Sequence, residues 1–271
     1  MTLDWLSAFT LSTPLAARWL ECLFAVSVGI QTLEYLRMRP AMNRHGLWSW
    51  SIQRQDIPNA SAQKFFDFLF AENIFTALLW ARFVALISLV ALGANLGNVG
   101  FLFITNLAVL IRWRGAFNGG SDFMTLVVLT GLLISQLIGA LNNIELGWHA
   151  CFWYITIQSV TSYFVSGAVK LLRPEWRNGT AMTIFLNAAI HGPLSPAHWL
   201  RHPWLASLGS WAFILWECIA PLALLDVRLA IVFCSIAALF HFLVFWFFGL
   251  NRFFWAWIAT FPAILWCAGQ I

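Results

Sequence analysis

Eight stretches of this chain are apolar and long enough, or nearly so, to cross a lipid bilayer, and little sequence is left between them. They fall at 14–36, 74–92, 99–111, 123–141, 148–172, 205–225, 229–250 and 253–269. A helix needs about 20 apolar residues to span the hydrocarbon core, so only the third is short. Inside lipid every backbone N–H and C=O must find its partner within the chain, which leaves helices for segments of this length. The expected fold is therefore all-α: a polytopic transmembrane helix bundle of about eight spans, or seven if the third is re-entrant. Residues 1–271 are read as one transmembrane domain.

Charge supports that reading twice. Only 10% of residues are charged and 61% are hydrophobic, whereas a soluble domain is about a quarter charged. The few charges are also placed in a pattern. Arg37, Arg39, Arg44, Arg54 and Lys64 follow the first span, Arg112 and Arg114 the third, Lys170, Arg173, Arg177 and Arg201 the fifth, and Arg252 the seventh. Arg228 alone lies on the opposite side, while Arg18 and Arg82 sit within spans. Basic residues accumulate in cytoplasmic loops. The pattern predicts a multi-pass protein of the inner (plasma) membrane with both termini outside the cytoplasm. The net charge of +4 is accounted for by topology and does not point to nucleic acid.

The start of the chain, with Asp4 and a long first apolar run, lacks the pattern of a cleaved signal peptide and is expected to be a retained span. Two connections are long. Residues 38–73 include a possible amphipathic piece at 61–70, and 173–204 form an interfacial connection on the cytoplasmic side carrying His191, His198 and His202. His198 and His202 are four apart, but Pro196 and Pro203 flank them, so no metal site is assigned. The five cysteines lie in apolar runs without a C-x-x-C pair and are read as free thiols. The 17 Trp and 25 Phe are read mainly as interfacial belt and packing residues.

Ionisable groups within spans are costly and are the first candidates for function. Lys170 ends the fifth span, and helical spacing puts Tyr163, Ser166 and Gly167 on its face. Gly167 permits a close helix neighbour. Lys170 is either a base in apolar surroundings or a lysine snorkelling to the interface. Glu217 sits four residues before Pro221, which cannot donate to the Glu217 carbonyl, so a kink and a polar pocket are expected there. His241 lies in the middle of the seventh span, as a proton donor, a ligand or a hydrogen-bonded packing residue. Arg18 and Glu21 are spaced to pair with each other, and Arg82 needs an acidic partner from another helix, such as Glu72, Asp122 or Glu217, or an anion.

Taken in order, Asn118-Gly119-Gly120-Ser121-Asp122, the run from Tyr163 to Lys170-Leu171 leading to Trp176 and Gly179, Glu217 with Pro221, and His241 resemble one family. It is the horizontally transferred transmembrane domain family, related to the vitamin K-dependent gamma-carboxylases. The likeness is strongest over 118–261, and G-A-V-K-L with the following W-x-x-G is its most specific part. It implies Lys170 as the active-site base with His241 near it in the membrane core, and Glu217 is expected beside them as an acid or hydrogen-bond partner. It further implies a quinol or hydroquinone held near Tyr163, Gly167, Asn118, Asp122 and Trp176. Where the carboxylases have a catalytic His within Asn-His-Ser, this chain reads Asn118-Gly119-Gly120-Ser121.

On that resemblance the chain is expected to be an enzyme of the lyase or oxidoreductase kind, in the bilayer, with a peptide or protein substrate or partner. Two other readings stay open at this stage: a non-catalytic membrane partner or maturation factor for another protein, and a small transporter. No inverted repeat is evident to favour the last.

Overall fold

A computed structural model describes residues 11–43, 46–113, 119–191 and 193–271. Among them every regular element is a helix. The principal ones are α1 (Thr13–Arg37), α2 (Ala60–Leu69), α3 (Glu72–Leu92), α4 (Leu96–Arg112), α5 (Gly119–Leu141) and α6 (Ile144–Leu172). They continue as α7 (Thr180–Asn187), α8 (Pro203–Cys218), α9 (Val227–Phe248), α10 (Asn251–Ile258) and α11 (Phe261–Ala268). Four of these, α1, α3, α5 and α9, are long and apolar enough to cross a membrane, and α4 is a shorter apolar helix. That is the mark of a membrane protein.

The helices are apolar on both faces, which a water-soluble helix avoids. In α9 the inward stripe is Ala230, Phe233, Cys234, Ala237 and His241, at steps of three and four residues. Leu229, Val232, Ile236, Leu239 and Trp246 on the same helix are exposed. In α3 Phe75, Leu79, Arg82, Leu86 and Leu89 are buried, while Trp80, Val84 and Ile87 face out. Lipid would solvate those outward faces.

Two expected spans are interrupted. At 205–225 the α-helix ends at Cys218 and a 3-10 turn, Ala220–Leu224, follows. The kink expected from Pro221 is thus a helix end, because proline cannot continue the i to i−4 ladder. At 253–269 the break falls between α10 and α11. Pro262 lies in the first turn of α11, and Thr260 Oγ1 donates to the Trp257 carbonyl at 2.7 Å. Proline is tolerated in a first turn, where its missing N–H has no intrahelical partner.

The chain forms two compact units, Ala17–Cys151 and Phe152–Ile271 with Met1–Ala16. In the N-terminal unit, Arg18 and Glu21 pair as the spacing predicts. They also clasp the end of α3: Arg18 donates to the Leu89 and Val90 carbonyls, and Glu21 accepts from Ala94 N at 2.7 Å. The turn there needs Gly93, whose φ of 82° few other residues adopt. Tyr35 stacks on Trp113 at 4.8 Å, and both belong to a cluster with Phe70, Phe75, Leu79 and Val109. Deeper in, Arg82 is buried, and its partners among the described residues are amides. It donates to Asn106 Oδ1 at 2.8 Å and to Gln31 Oε1 at 3.2 Å, and Gln31 in turn donates to Asp122 at 3.2 Å. Its acidic partner is thus reached through an amide.

The C-terminal unit is built on α6, α8, α9, α10 and α11. The inward face of α6 runs Phe152, Ile155, Ser159, Tyr163 and Gly167, ending on half-buried Lys170. Trp176, after α6, is tied to α8 through its carbonyl, which accepts from the Ser210 hydroxyl. The Arg177 carbonyl likewise accepts from the Trp211 indole at 3.0 Å.

Candidate functional site

Gly167 decides how close α8 comes to α6. A Cβ built at Gly167 would lie 2.7 Å from Cys218 N, 2.8 Å from Glu217 Cβ and 2.9 Å from Cys218 Sγ. Two of those atoms are fixed to the α8 backbone, so only glycine lets that backbone sit there, as in close-packed membrane helices. The approach carries Glu217 onto the end of α6, one turn from Lys170.

There Lys170 Nζ donates to Glu217 Oε1 at 2.6 Å and to Oε2 at 2.5 Å. It also donates to Ser166 Oγ at 2.6 Å, and Ser166 Oγ lies 3.2 Å from Glu217 Oε1. The Glu217 side chain is 4% exposed and that of Lys170 16%, so the pair is largely out of solvent. Lys170 Nζ also lies 5.1 Å from the centroid of the Trp176 ring, within cation–π range. A snorkelling lysine points its ammonium to water, whereas this one points back to a carboxylate on the neighbouring helix.

Two turns earlier on the same face of α6, the Tyr163 hydroxyl is 2.6 Å from His241 Nε2. His241 stacks on Trp257 at 5.0 Å and 18° and meets Phe253 edge-on at 5.0 Å. Tyr163 is in contact with Trp257 at 4.6 Å, Phe233 at 5.1 Å and Trp216 at 5.3 Å. Trp216 precedes Glu217, so the ion pair and the Tyr163–His241 pair share one wall. Three buried polar atoms around that wall have no partner among the described residues: His241 Nδ1, Trp216 Nε1 and Trp257 Nε1. An orphaned buried donor or acceptor costs about 1–3 kcal/mol.

Lys170, Glu217, Ser166, Tyr163, His241, Gly167 and Trp176 are therefore gathered on one side of α6. Asp122 is held by Gln31 within the N-terminal unit, and Asn118 lies outside the described residues. Sequence reasoning did not single out Trp216, Phe233, Phe253 or Trp257. The only signal was the i, i+4 spacing of Phe253 and Trp257 just after a span bearing a lone His. Among the described residues no group of three His, Cys, Asp or Glu is placed to hold a metal ion. His198 instead caps the 3-10 turn Trp199–Arg201, accepting from Leu200 N at 3.3 Å.

No protein-family model, curated protein or solved structure matches the chain.

Proposed function

We propose that this chain is an integral membrane protein of about eight spans that performs base chemistry on a quinol-type cofactor at the Lys170–Glu217 site. The observation that carries the reading is the bidentate contact of Lys170 Nζ with Glu217, placed on the same helix face as the Tyr163–His241 pair. Membrane location follows from the apolar helices, and the basic loops favour the inner (plasma) membrane with both termini outside the cytoplasm. The resemblance to the horizontally transferred transmembrane domain family and the vitamin K-dependent carboxylases supports the same assignment of roles.

A flat hydroquinone fits the residues present. Trp216, Phe233 and Trp257 make the surroundings aromatic, and the unpartnered indole N–H groups and His241 Nδ1 are suited to hydrogen bonds with ring oxygens. Such a cofactor would supply acidic hydroxyl protons when bound. Lys170 is the base. Its ammonium passes a proton to a Glu217 oxygen, which leaves a neutral amine and a neutral acid, and the Nζ lone pair would then accept a proton from a hydroquinone hydroxyl. Exchange of an ion pair for a neutral pair costs little where the medium is weakly polar. Ser166 holds Nζ in line for the transfer, and Tyr163 fixes the orientation of the His241 ring. Trp176 covers the ammonium and excludes water.

Titration of the purified chain with a short-chain hydroquinone, followed by quenching of tryptophan fluorescence, tests this. Saturable quenching is expected, weakened at least tenfold in His241→Leu and retained in Arg228→Gln. Quenching that is absent, or equal in wild type and His241→Leu, would overturn it.

A second reading, a non-catalytic membrane partner that stabilises or matures another protein, draws on the same contacts. Lys170 and Glu217 satisfy each other fully, as in a purely structural lock between two helices.

A further inference from the structure

A second polar site lies in the N-terminal unit, where the basic ends of α1 and α4 meet the start of α3. A half-open cleft of about 490 Å³ is lined there by Arg39, Arg54, Arg112, Asp67, Glu72 and the two serines Ser49 and Ser51, among others. We propose that this cleft binds a phosphate group. The inference is independent of the quinol reading.

Arg112 carries the argument. It is 1% exposed, yet among the described residues no carboxylate meets it. Nη1 donates to Gln53 Oε1 at 2.7 Å and Nη2 to the Met42 carbonyl at 3.3 Å, both neutral, and Nε has no partner. A buried guanidinium without a counter-charge is strongly unfavourable, so an anion is what the site lacks. Arg39 stands on the same wall, with its Nε on the Leu36 carbonyl at 3.1 Å. Arg54 is already neutralised, because its Nε donates to both Asp67 oxygens at 2.8 and 3.0 Å. Glu72 is the other acid present. The Asn43 amide, turned to donate, reaches its Oε1 at 3.1 Å. Among the described lining residues, three guanidiniums against two carboxylates leave one positive charge in surplus.

Three further features suit a tetrahedral oxyanion. Ser49 and Ser51 present hydroxyls 2.8 Å apart. The 21-residue α3 begins at the cleft with no side-chain cap on its first N–H groups, and helix N-termini favour phosphate. Arginine forks match phosphate oxygens in pairs. The cleft also sits among the basic loops assigned to the cytoplasmic face, within reach of lipid headgroups. The occupant is thus a phospholipid headgroup or a soluble phosphate, and the chemistry recognised is the same.

The test uses the full chain purified in an uncharged detergent, with the thermal midpoint as readout. The probes are inorganic phosphate and dioctanoyl phosphatidylglycerol, with dioctanoylglycerol and sodium chloride at matched ionic strength as controls. At least one phosphate probe should raise the midpoint by several degrees above the controls. The concentration needed should rise at least tenfold in Arg112→Gln and Arg39→Gln and stay unchanged in Arg228→Gln. Stabilisation by the lipid alone assigns the headgroup, and saturation by inorganic phosphate assigns a soluble ligand. If Arg112→Gln does not fold, Arg39→Gln decides by itself. Wild type that responds to neither probe beyond the controls, or a folded cleft variant that responds like wild type, overturns the proposal.

Discussion

Lys170 Nζ lies within 2.6 Å of both carboxylate oxygens of Glu217, a residue 47 positions further along the chain. Among the described residues the other contacts of Lys170 Nζ are the neutral Ser166 and Trp176. Breaking such a pair from one side leaves an uncompensated charge, at a cost of roughly 3–5 kcal/mol. Lys170→Ala and Glu217→Ala should each lose about that much stability in a denaturation series in detergent. The double variant Lys170→Met, Glu217→Leu should recover most of it, since apolar side chains of similar volume replace buried ion pairs at little cost. Additive losses in the double variant would show that the two residues are not coupled.

Gly167 gives a sharper structural test. Its Cβ position is occupied by Cys218 N at 2.7 Å and Glu217 Cβ at 2.8 Å, and backbone does not yield as a flexible side chain does. Gly167→Ala should therefore destabilise by about 1–3 kcal/mol despite alanine's better helix propensity. Gly100, with open space around it, is the control, and Gly100→Ala should be neutral or stabilising. Equal behaviour of the two variants would remove the close approach of α8 to α6 from the account.

Much of the site was legible because polar groups are conspicuous in an apolar chain. Lys170, Glu217 and His241 stood out on cost alone, and the helical spacing from Tyr163 to Lys170 gave the face they share. The aromatic wall was not legible. With 17 Trp and 25 Phe, no single ring carries information until the fold places Trp216 and Trp257 beside Tyr163. Asp122, singled out with the cofactor residues, accepts from Gln31 in the N-terminal unit. Attention to ionisable groups passed over Gln31 and Asn106, the neutral amides that hold Arg82. The four long apolar helices matched their sequence runs. The breaks near Pro221 and Pro262 show where a run of apolar residues says nothing about helix continuity.

Outside the spans, the Asp67 carboxylate is held below its ordinary value of 3.8 by hydrogen bonds from Arg54 and then Trp50. A carboxylate whose value is lowered by folding adds stability above its unfolded value, and that stability is lost as pH falls through the folded value. Wild type should therefore exceed Asp67→Asn in stability at neutral pH. The gap should begin to close as pH drops below about 4 and vanish once Asp67 is protonated in the folded state. Denaturation midpoints of both proteins across that range check it. A gap independent of pH would mean that the contact contributes through packing and not charge.

The loop charges predict sidedness. A cysteine placed at Asn59, between Arg54 and Lys64, should react with a membrane-impermeant maleimide only after the cytoplasmic face is opened. One placed at Gln270 should react in intact cells. Cys151, Cys234 and Cys267 are buried and give little background, with Cys22 and Cys218 replaced by alanine. Labelling of Asn59→Cys in intact cells would reverse the orientation, and opposite faces for the two termini would remove the even span count.

In the proposed function the polar groups on one face of α6 meet around a quinol-type cofactor. Lipid extraction of the chain purified from its native membrane, with quinone measured by mass spectrometry, checks this. Quinone is expected near one equivalent per chain in wild type and in Arg228→Gln, with a loss of at least tenfold in His241→Leu. Quinone no more abundant with wild type than with an unrelated membrane protein purified alongside would contradict it.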